Sequence, residues 1–312
     1  MSTVLQRLPP GARIAVIRLR SLGDCVLTTP AISLLKQFRP DLQIAVVAED
    51  AFAPVFSGNP DIDRILAPKI SEVSRFRPHL ALNLHGGGTS AWLTLLARAG
   101  LRAGFAHFRF GPIYNIRIPR AQAILKIERT VHTAEHLASA MFFLGVPQRE
   151  IPRASLFATP VPRQRPYGVI HPMASAPDKT WEYSNFLAVA QHIQRNFGIE
   201  PVFIAGPRES LVAFDRYTCI RGAGLEEVKS LLAGAALFVG NDSGPAHMSA
   251  AFGLPVVVLF AASNPAIWGP WQTASAVMTS HQGINSIQVS KVVEAIDTMP
   301  FLHPTTYAPQ PK

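Results

Sequence analysis

The chain has 312 residues, of which 48% are hydrophobic and 16% charged, with a net charge of +9. That is enough apolar material for the cores of two domains. No apolar run reaches the eighteen or so residues that span a bilayer, and the first twenty residues lack a signal-peptide pattern, so a cytoplasmic protein is expected. Cys25 and Cys219 stand alone, without ligand spacing, which excludes a disulfide framework or a cysteine zinc site as the organising device.

The charge is unevenly placed. Residues 1–158 hold 19 Lys and Arg against 10 Asp and Glu, whereas residues 159–312 hold 10 against 10. A basic first half points to an anionic partner: a phosphorylated lipid, a membrane surface or nucleic acid. Nucleic acid is disfavoured, because no RNA- or DNA-binding module is recognisable.

In chain order, Arg13 to Leu19 reads as a short strand, and Arg20-Ser21-Leu22-Gly23-Asp24 as a loop into a helix from Val26 to Phe38. A strand at 44–48, a short helix at 51–56 and a strand at 62–66 follow. A strand at 80–84 leads through His85-Gly86-Gly87-Gly88 into a helix over 90–99, and a helix over 133–144 closes the half. Residues 102–129 mix Arg102, Arg109, Arg117, Arg120, Lys126 and Arg129 with four aromatic residues and one acid, Glu128.

Residues 145–166 contain five prolines and no helical period, and are read as the linker. The second half restarts with a strand at 167–171, a polar loop at 172–180, a helix over 184–196 and a strand at 202–205. Helices are expected at 209–217, 225–233 and 289–298, with a frayed tail after them. Between the last two lies the stretch around which the chain is organised, LFVGNDSGPAHMSAAFGLPVVVLF at 237–260. It reads as strand, turn, helix from Pro245, stop at Gly253, and second strand, a βαβ unit that demands a parallel sheet.

The alternation predicts an α/β protein: two Rossmann-like doubly wound domains, 1–158 and 159–312, facing a central cleft, with ligands beyond the carboxyl ends of the strands. Neither GxGxxG nor the GxxxxGK[ST] loop occurs, so dinucleotide and P-loop chemistry lack their fingerprints. Asp24, at a strand-to-helix turn, is either an N-cap or a general base. Lys179, Ser175 and Thr180 lie in the polar loop, and Asp242, Ser243, Gly244 and His247 at the mouth of the focal helix. Together they offer a cation, hydroxyls and free amides to a diphosphate. No pair of carboxylates is spaced for a divalent ion, so no metal is required. Glu226 sits in a first helical turn, where the dipole alone accounts for it, or binds a ribose. His85 contacts an acceptor or caps the next helix.

The motifs R-L-R-S-L-G-D at 18–24 with T-T-P-A at 28–31, H-P-M-A-S at 171–175 with K-T-W at 179–181, and G-N-D-S-G-P-A-H-M-S-A-A at 240–251 resemble those of glycosyltransferase family 9, the ADP-heptose:lipopolysaccharide heptosyltransferases. The resemblance implies a GT-B fold, an N-terminal acceptor domain and a C-terminal nucleotide-sugar domain. It implies Asp24 as general base and Lys179 on the donor phosphates, with Ser175 nearby. Asp242, Ser243, Gly244 and His247 would line the diphosphate, and Glu226 would bind the adenosine ribose. Arg20, Ser21, His85 and Arg120 are then the candidates for an anionic lipopolysaccharide inner-core acceptor at the inner membrane surface. The co-substrate expected is ADP-heptose, with no cofactor and no metal, and the reaction a displacement with inversion. A nucleotide-sugar epimerase or hydrolase of the same architecture and a noncatalytic nucleotide-sugar-binding protein are the competing readings.

Overall fold

A computed structural model of the chain describes residues 2–174 and 176–300. The polypeptide divides into two compact units after Phe157. In the first, the elements are β1 (Arg13–Ile17), α1 (Leu22–Phe38), β2 (Gln43–Val47), β3 (Arg64–Leu66), α2 (Ile70–Phe76), β4 (Leu80–Asn83), α3 (Gly88–Leu96), β5 (Leu101–Phe105), β6 (Ile116–Ile118), α4 (Ala121–Leu125) and α5 (Thr133–Leu144). The second contains β7 (Tyr167–His171), α6 (Tyr183–Phe197), β8 (Glu200–Ala205), β9 (Thr218–Arg221), α7 (Leu225–Ala233), β10 (Leu237–Asn241), α8 (Gly244–Ala251), β11 (Val256–Phe260), α9 (Pro265–Trp268), β12 (Ser275–Thr279) and α10 (Val289–Asp297).

Each unit is built on a six-stranded parallel sheet. The orders are β3-β2-β1-β4-β5-β6 and β12-β11-β10-β7-β8-β9. Numbered from its own first strand, each is the 3-2-1-4-5-6 arrangement of a doubly wound sheet. Such a sheet reverses direction between its first and fourth strands, and that reversal opens a crevice beyond their carboxyl ends. The crevices fall between β1 and β4 in unit 1 and between β7 and β10 in unit 2.

The central strands are buried on both faces and read as apolar runs, such as Val256–Phe260 and residues 237–240. One face of the first sheet is covered by α2 and α3, through Val73, Phe76, Leu93 and Ala97. In the second, Trp181, Phe186, Phe203 and Phe214 fill the core beside α6.

The structure departs from the sequence-based expectations at several places. Helix α1 begins at Leu22, one turn before the expected Val26, and continues through Pro30. Pro30 supplies no N–H to the Val26 carbonyl four residues back, and the Thr29 hydroxyl donates to it instead at 2.8 Å. The segment 209–217 is not a helix: only a 3-10 turn forms at Val212–Phe214, followed by β9. The segment 51–56 likewise forms only the turn Ala53–Val55. The basic stretch 102–129 contains two strands, β5 and β6, and a short helix, α4. Among the described residues no helix is long and apolar enough to cross a membrane. The expectation of a frayed tail falls on residues 301–312, outside the described residues.

Candidate active site

In unit 1 the chain leaves β1 at Arg18 and enters α1 within four residues. Ser21 is the N-cap residue of α1, which puts Asp24 in the helix's first turn rather than at the cap. Ser21 Oγ donates to Asp24 Oδ2 at 2.9 Å, and the Arg18 guanidinium lies 3.5 Å from Asp24 Oδ1. The carboxylate is therefore steered from both oxygens while its side chain keeps 24% exposure. A carboxylate at this position also gains from the positive end of the helix dipole.

Arg18 is 6% exposed, and its Nε is buried with no hydrogen-bond partner among the described residues. Burial pulls the guanidinium below the usual arginine range, with Asp24 opposing that shift. Burying a cation is tolerated only where an anion compensates it, and Asp24 is the anion within reach. Cys25, next along α1, has its thiol pushed up to about 12, chiefly by burial, and stays protonated.

Across the crevice, β4 ends at Asn83. Its Oδ1 accepts the N–H groups of His85 and Gly86 at 2.9 and 3.0 Å, while its Nδ2 donates to Ser90 Oγ and to the Tyr114 hydroxyl. This fixes the turn that presents His85. Gly86, at φ 86°, is required there, since a Cβ would fall 2.6 Å from the Phe108 ring. His85 feels Arg18, Arg20, Asp24 and Glu49, and burial followed by the two arginine charges lowers its pKa. It does not cap α3, whose N-cap is Gly87. Arg20 points outward, 66% exposed and 4.0 Å from Glu49. Arg120 lies apart, as the exposed N-cap residue of α4, and its charge reaches His107.

His136 was not legible as a site residue, because it lies in the apolar helix α5 like any core histidine. It stacks on Phe105 at 4.0 Å, and its pKa is lowered to about 4 by burial, with His107 and Arg18 adding to the effect.

In unit 2 the strand ends are furnished differently. His171 closes β7 and Ser243 follows β10, and His171 Nδ1 meets Ser243 Oγ at 3.2 Å, bridging the crevice. Burial lowers the His171 pKa to about 4, so the ring is neutral near pH 7. Gly240 makes the approach possible: it is paired with His171 across the ladder, and a Cβ there would lie 2.8 Å from the His171 carbonyl oxygen. Ser243 is the N-cap residue of α8, yet its side chain caps no amide. Asn241 ends β10 and ties the polar loop down, donating to the Pro172 carbonyl and accepting from the Trp181 amide.

Asp242 carries a raised pKa, mainly from burial, against which a hydrogen bond from Ser263 and the charge of Lys179 act. Lys179 ends a 3-10 turn at Pro177–Lys179, and Thr180 Oγ1 donates back to the Ala176 carbonyl at 3.0 Å. Lys179 and Asp242 thus share one neighbourhood with Ser243, Gly244 and the buried His247 at the start of α8. Ser175 lies outside the described residues.

Beside the polar loop is a cleft of about 640 Å³ whose lining includes Met173, Thr180, Trp181, Tyr183 and Glu209. Glu209 follows β8, and its carboxylate accepts the Gly206 amide at 2.6 Å. Glu226 is not in that lining; it starts α7 and pairs with the buried Lys229 at 3.0 Å. Glu209 was missed because its segment reads as a helix in sequence. Among the described residues, no group of three or more His, Cys, Asp or Glu side chains could hold a metal ion.

The glycosyltransferase family 9 (heptosyltransferase) model matches residues 75–294. The chain belongs to this family. It is a glycosyltransferase, and its two doubly wound units are of the GT-B type. Lipopolysaccharide heptosyltransferase 3 of Escherichia coli (strain K12) is 27% identical over 302 residues, covering 81% of this chain and 83% of its own length. Among solved structures, the family 9 glycosyltransferase of Veillonella parvula DSM 2008 superposes with a TM-score of 0.82 at 22% identity, covering 93% of this chain and 97% of that one. E. coli heptosyltransferase WaaC, solved with ADP, gives 0.76 at 19% identity, covering 91% and 99%.

Proposed function

We propose that this family 9 glycosyltransferase moves a heptose from ADP-heptose to an anionic lipopolysaccharide inner-core acceptor, by direct displacement with inversion and without metal. The observation that carries the reading is the Asp24 carboxylate, held by the Ser21 hydroxyl and the Arg18 guanidinium at the carboxyl edge of the first sheet. A base so held receives the proton of an acceptor hydroxyl in a fixed direction. The acceptor oxygen then bonds to the anomeric carbon as the bond to the diphosphate oxygen breaks, and the electron pair leaves with the diphosphate. One displacement inverts the anomeric configuration.

Unit 2 provides for the leaving group. Lys179, the Ser243 hydroxyl and the free amides opening α8 are complementary to the negative charge that grows on the diphosphate. His171, held neutral, can donate to or accept from Ser243 without repelling Lys179. Glu226, more than half exposed beside Lys229, and Glu209, at the cleft beside the polar loop, are the carboxylates available to receive ribose hydroxyls. Arg20 and His85 beside Asp24, and Arg120 further along the sheet edge, supply positive or hydrogen-bonding groups for an anionic acceptor. With such an acceptor, the protein works at the inner membrane surface.

The test is transfer from ADP-heptose to a deacylated heptose-deficient core, wild type beside Asp24→Ala, with and without chelator. Chelator-resistant transfer with an inverted product, lost in the variant although ADP still binds, is expected. Retained anomeric configuration, or full activity in Asp24→Ala, would overturn the mechanism. Turnover of the donor without any acceptor product would favour a hydrolase or epimerase.

A further inference from the structure

Helix α3 wears its polarity inside out. Ser90 and Thr94 are fully buried, the one donating to the Gly87 carbonyl and the other to the Ser90 carbonyl, while Trp92, Leu95 and Leu96 are 56%, 37% and 39% exposed. The spacing of 92, 95 and 96 puts the indole and both leucines on one face. An amphipathic helix that packs on a sheet for stability alone shows the opposite arrangement. Only Leu93 and Ala97, with Ala91, face inward as packing requires.

Around this face basic residues predominate. Helices α2 and α3 pack on the same side of the sheet and both end at its amino edge, where Arg75, Arg77 and Arg98 are exposed. Arg77 and Arg98 hold left-handed backbone conformations, at φ 50° and 57°, in the positions that terminate the two helices. Glycine is the residue that local folding favours there. Arginine at these two positions keeps a cation at this edge where glycine would leave none. Over residues 69–130 the chain holds ten Lys and Arg against two acids, Glu72 and Glu128.

We infer that the outward face of α3, with Arg75, Arg77 and Arg98 around it, docks the protein on an anionic lipid bilayer. An exposed tryptophan and leucines enter the headgroup boundary, and the arginines meet lipid phosphates, as in other interfacial helices. Trp92 lies four residues beyond Gly88, about 6 Å along the helix axis from the loop that presents His85. A sugar carried on a lipid headgroup would thus be met close to where it is anchored. That purpose rests on the acceptor reading given above; the docking itself is measured without it.

The experiment is sedimentation of the full chain with vesicles of phosphatidylglycerol and phosphatidylethanolamine, and with phosphatidylcholine alone, at low and high salt. Wild type binds the anionic vesicles in a salt-sensitive manner, with a blue shift in tryptophan emission. The Trp92→Gln/Leu96→Gln variant binds about tenfold more weakly or worse. Arg77→Gly/Arg98→Gly also loses about tenfold at low salt, yet its melting temperature is unchanged or raised, because glycine relieves the left-handed positions. Transfer to a deacylated, water-soluble acceptor is retained in both variants, which separates docking from catalysis. The inference fails if wild type ignores anionic vesicles, or if both variants bind them as wild type does. It fails equally if light scattering shows a dimer that Trp92→Gln/Leu96→Gln splits while vesicle binding persists, since the face would then be covered by a second copy.

Discussion

The two units share one strand order and one place for a site, yet they furnish that place with opposite chemistry. Between β1 and β4 stand a buried arginine, a carboxylate steered by it, and a histidine, His85, whose protonation the surrounding burial and positive charge disfavour. Between β7 and β10 stand a neutral histidine bridged to a serine, a half-buried aspartate whose pKa is raised, and one lysine. The first arrangement is suited to accepting a proton, and the second to receiving negative charge. The fold thus provides the crevice twice, and four or five side chains at the strand ends decide what each crevice does.

The contrast predicts where damage should fall. Asp24→Ala removes the proposed base and is expected to lower kcat by about two to four orders of magnitude, with ADP binding unchanged by calorimetry. A parallel loss of ADP affinity would mean that the units do not divide the work as proposed. Lys179→Met is expected to lower kcat by about 10²- to 10³-fold and to weaken ADP binding as well, the signature of a group that meets the phosphates in both ground and transition state. Gly240→Ala tests the bridge between β7 and β10, because the added Cβ must push against the His171 carbonyl oxygen at 2.8 Å. A loss of about 1–3 kcal/mol in urea unfolding is expected, with weaker ADP binding but unimpaired acceptor binding.

The smallest effect concerns acid stability. His136 and His171 each have a folded pKa near 4, lowered chiefly by burial. The unfolded chain, with ordinary values of about 6.5, takes up these protons first as pH falls. Stability from each ring is therefore complete above about pH 6.5 and is lost progressively toward pH 4. Replacing His136 by Phe, which preserves the stack on Phe105, should shrink the stability difference between pH 7 and pH 5 by about 1–2 kcal/mol. An unchanged difference would show that His136 already titrates normally in the folded state.

Much of this was legible in the chain itself. Apolar runs such as Val256–Phe260, broken by Gly and Pro and alternating with helical periods, leave a doubly wound parallel arrangement as the consistent reading. Of the four edge strands only β3 was legible. Thr218–Arg221 and Ser275–Thr279 expose half or more of their residues, and Ile116–Ile118 is three residues long, so neither pattern nor length distinguishes them from loop. The expected helix at 209–217 failed for the same reason: its apolar residues serve a turn and an edge strand, which the neighbouring β8 stabilises by pairing.

The site divides along the same line. That Asp24, Lys179 and residues 242–247 lie just beyond strand ends follows from residue type and order, because turn and breaker residues act over a few positions. Which atoms meet does not. Pairing Arg18 with Asp24 and bringing His171 to Ser243 depend on strands brought side by side from 60 or more residues apart, or on where one helix begins. Local propensities fix the pieces, whereas burial and charge compensation are properties of the packed sheet, and only tertiary structure decides them.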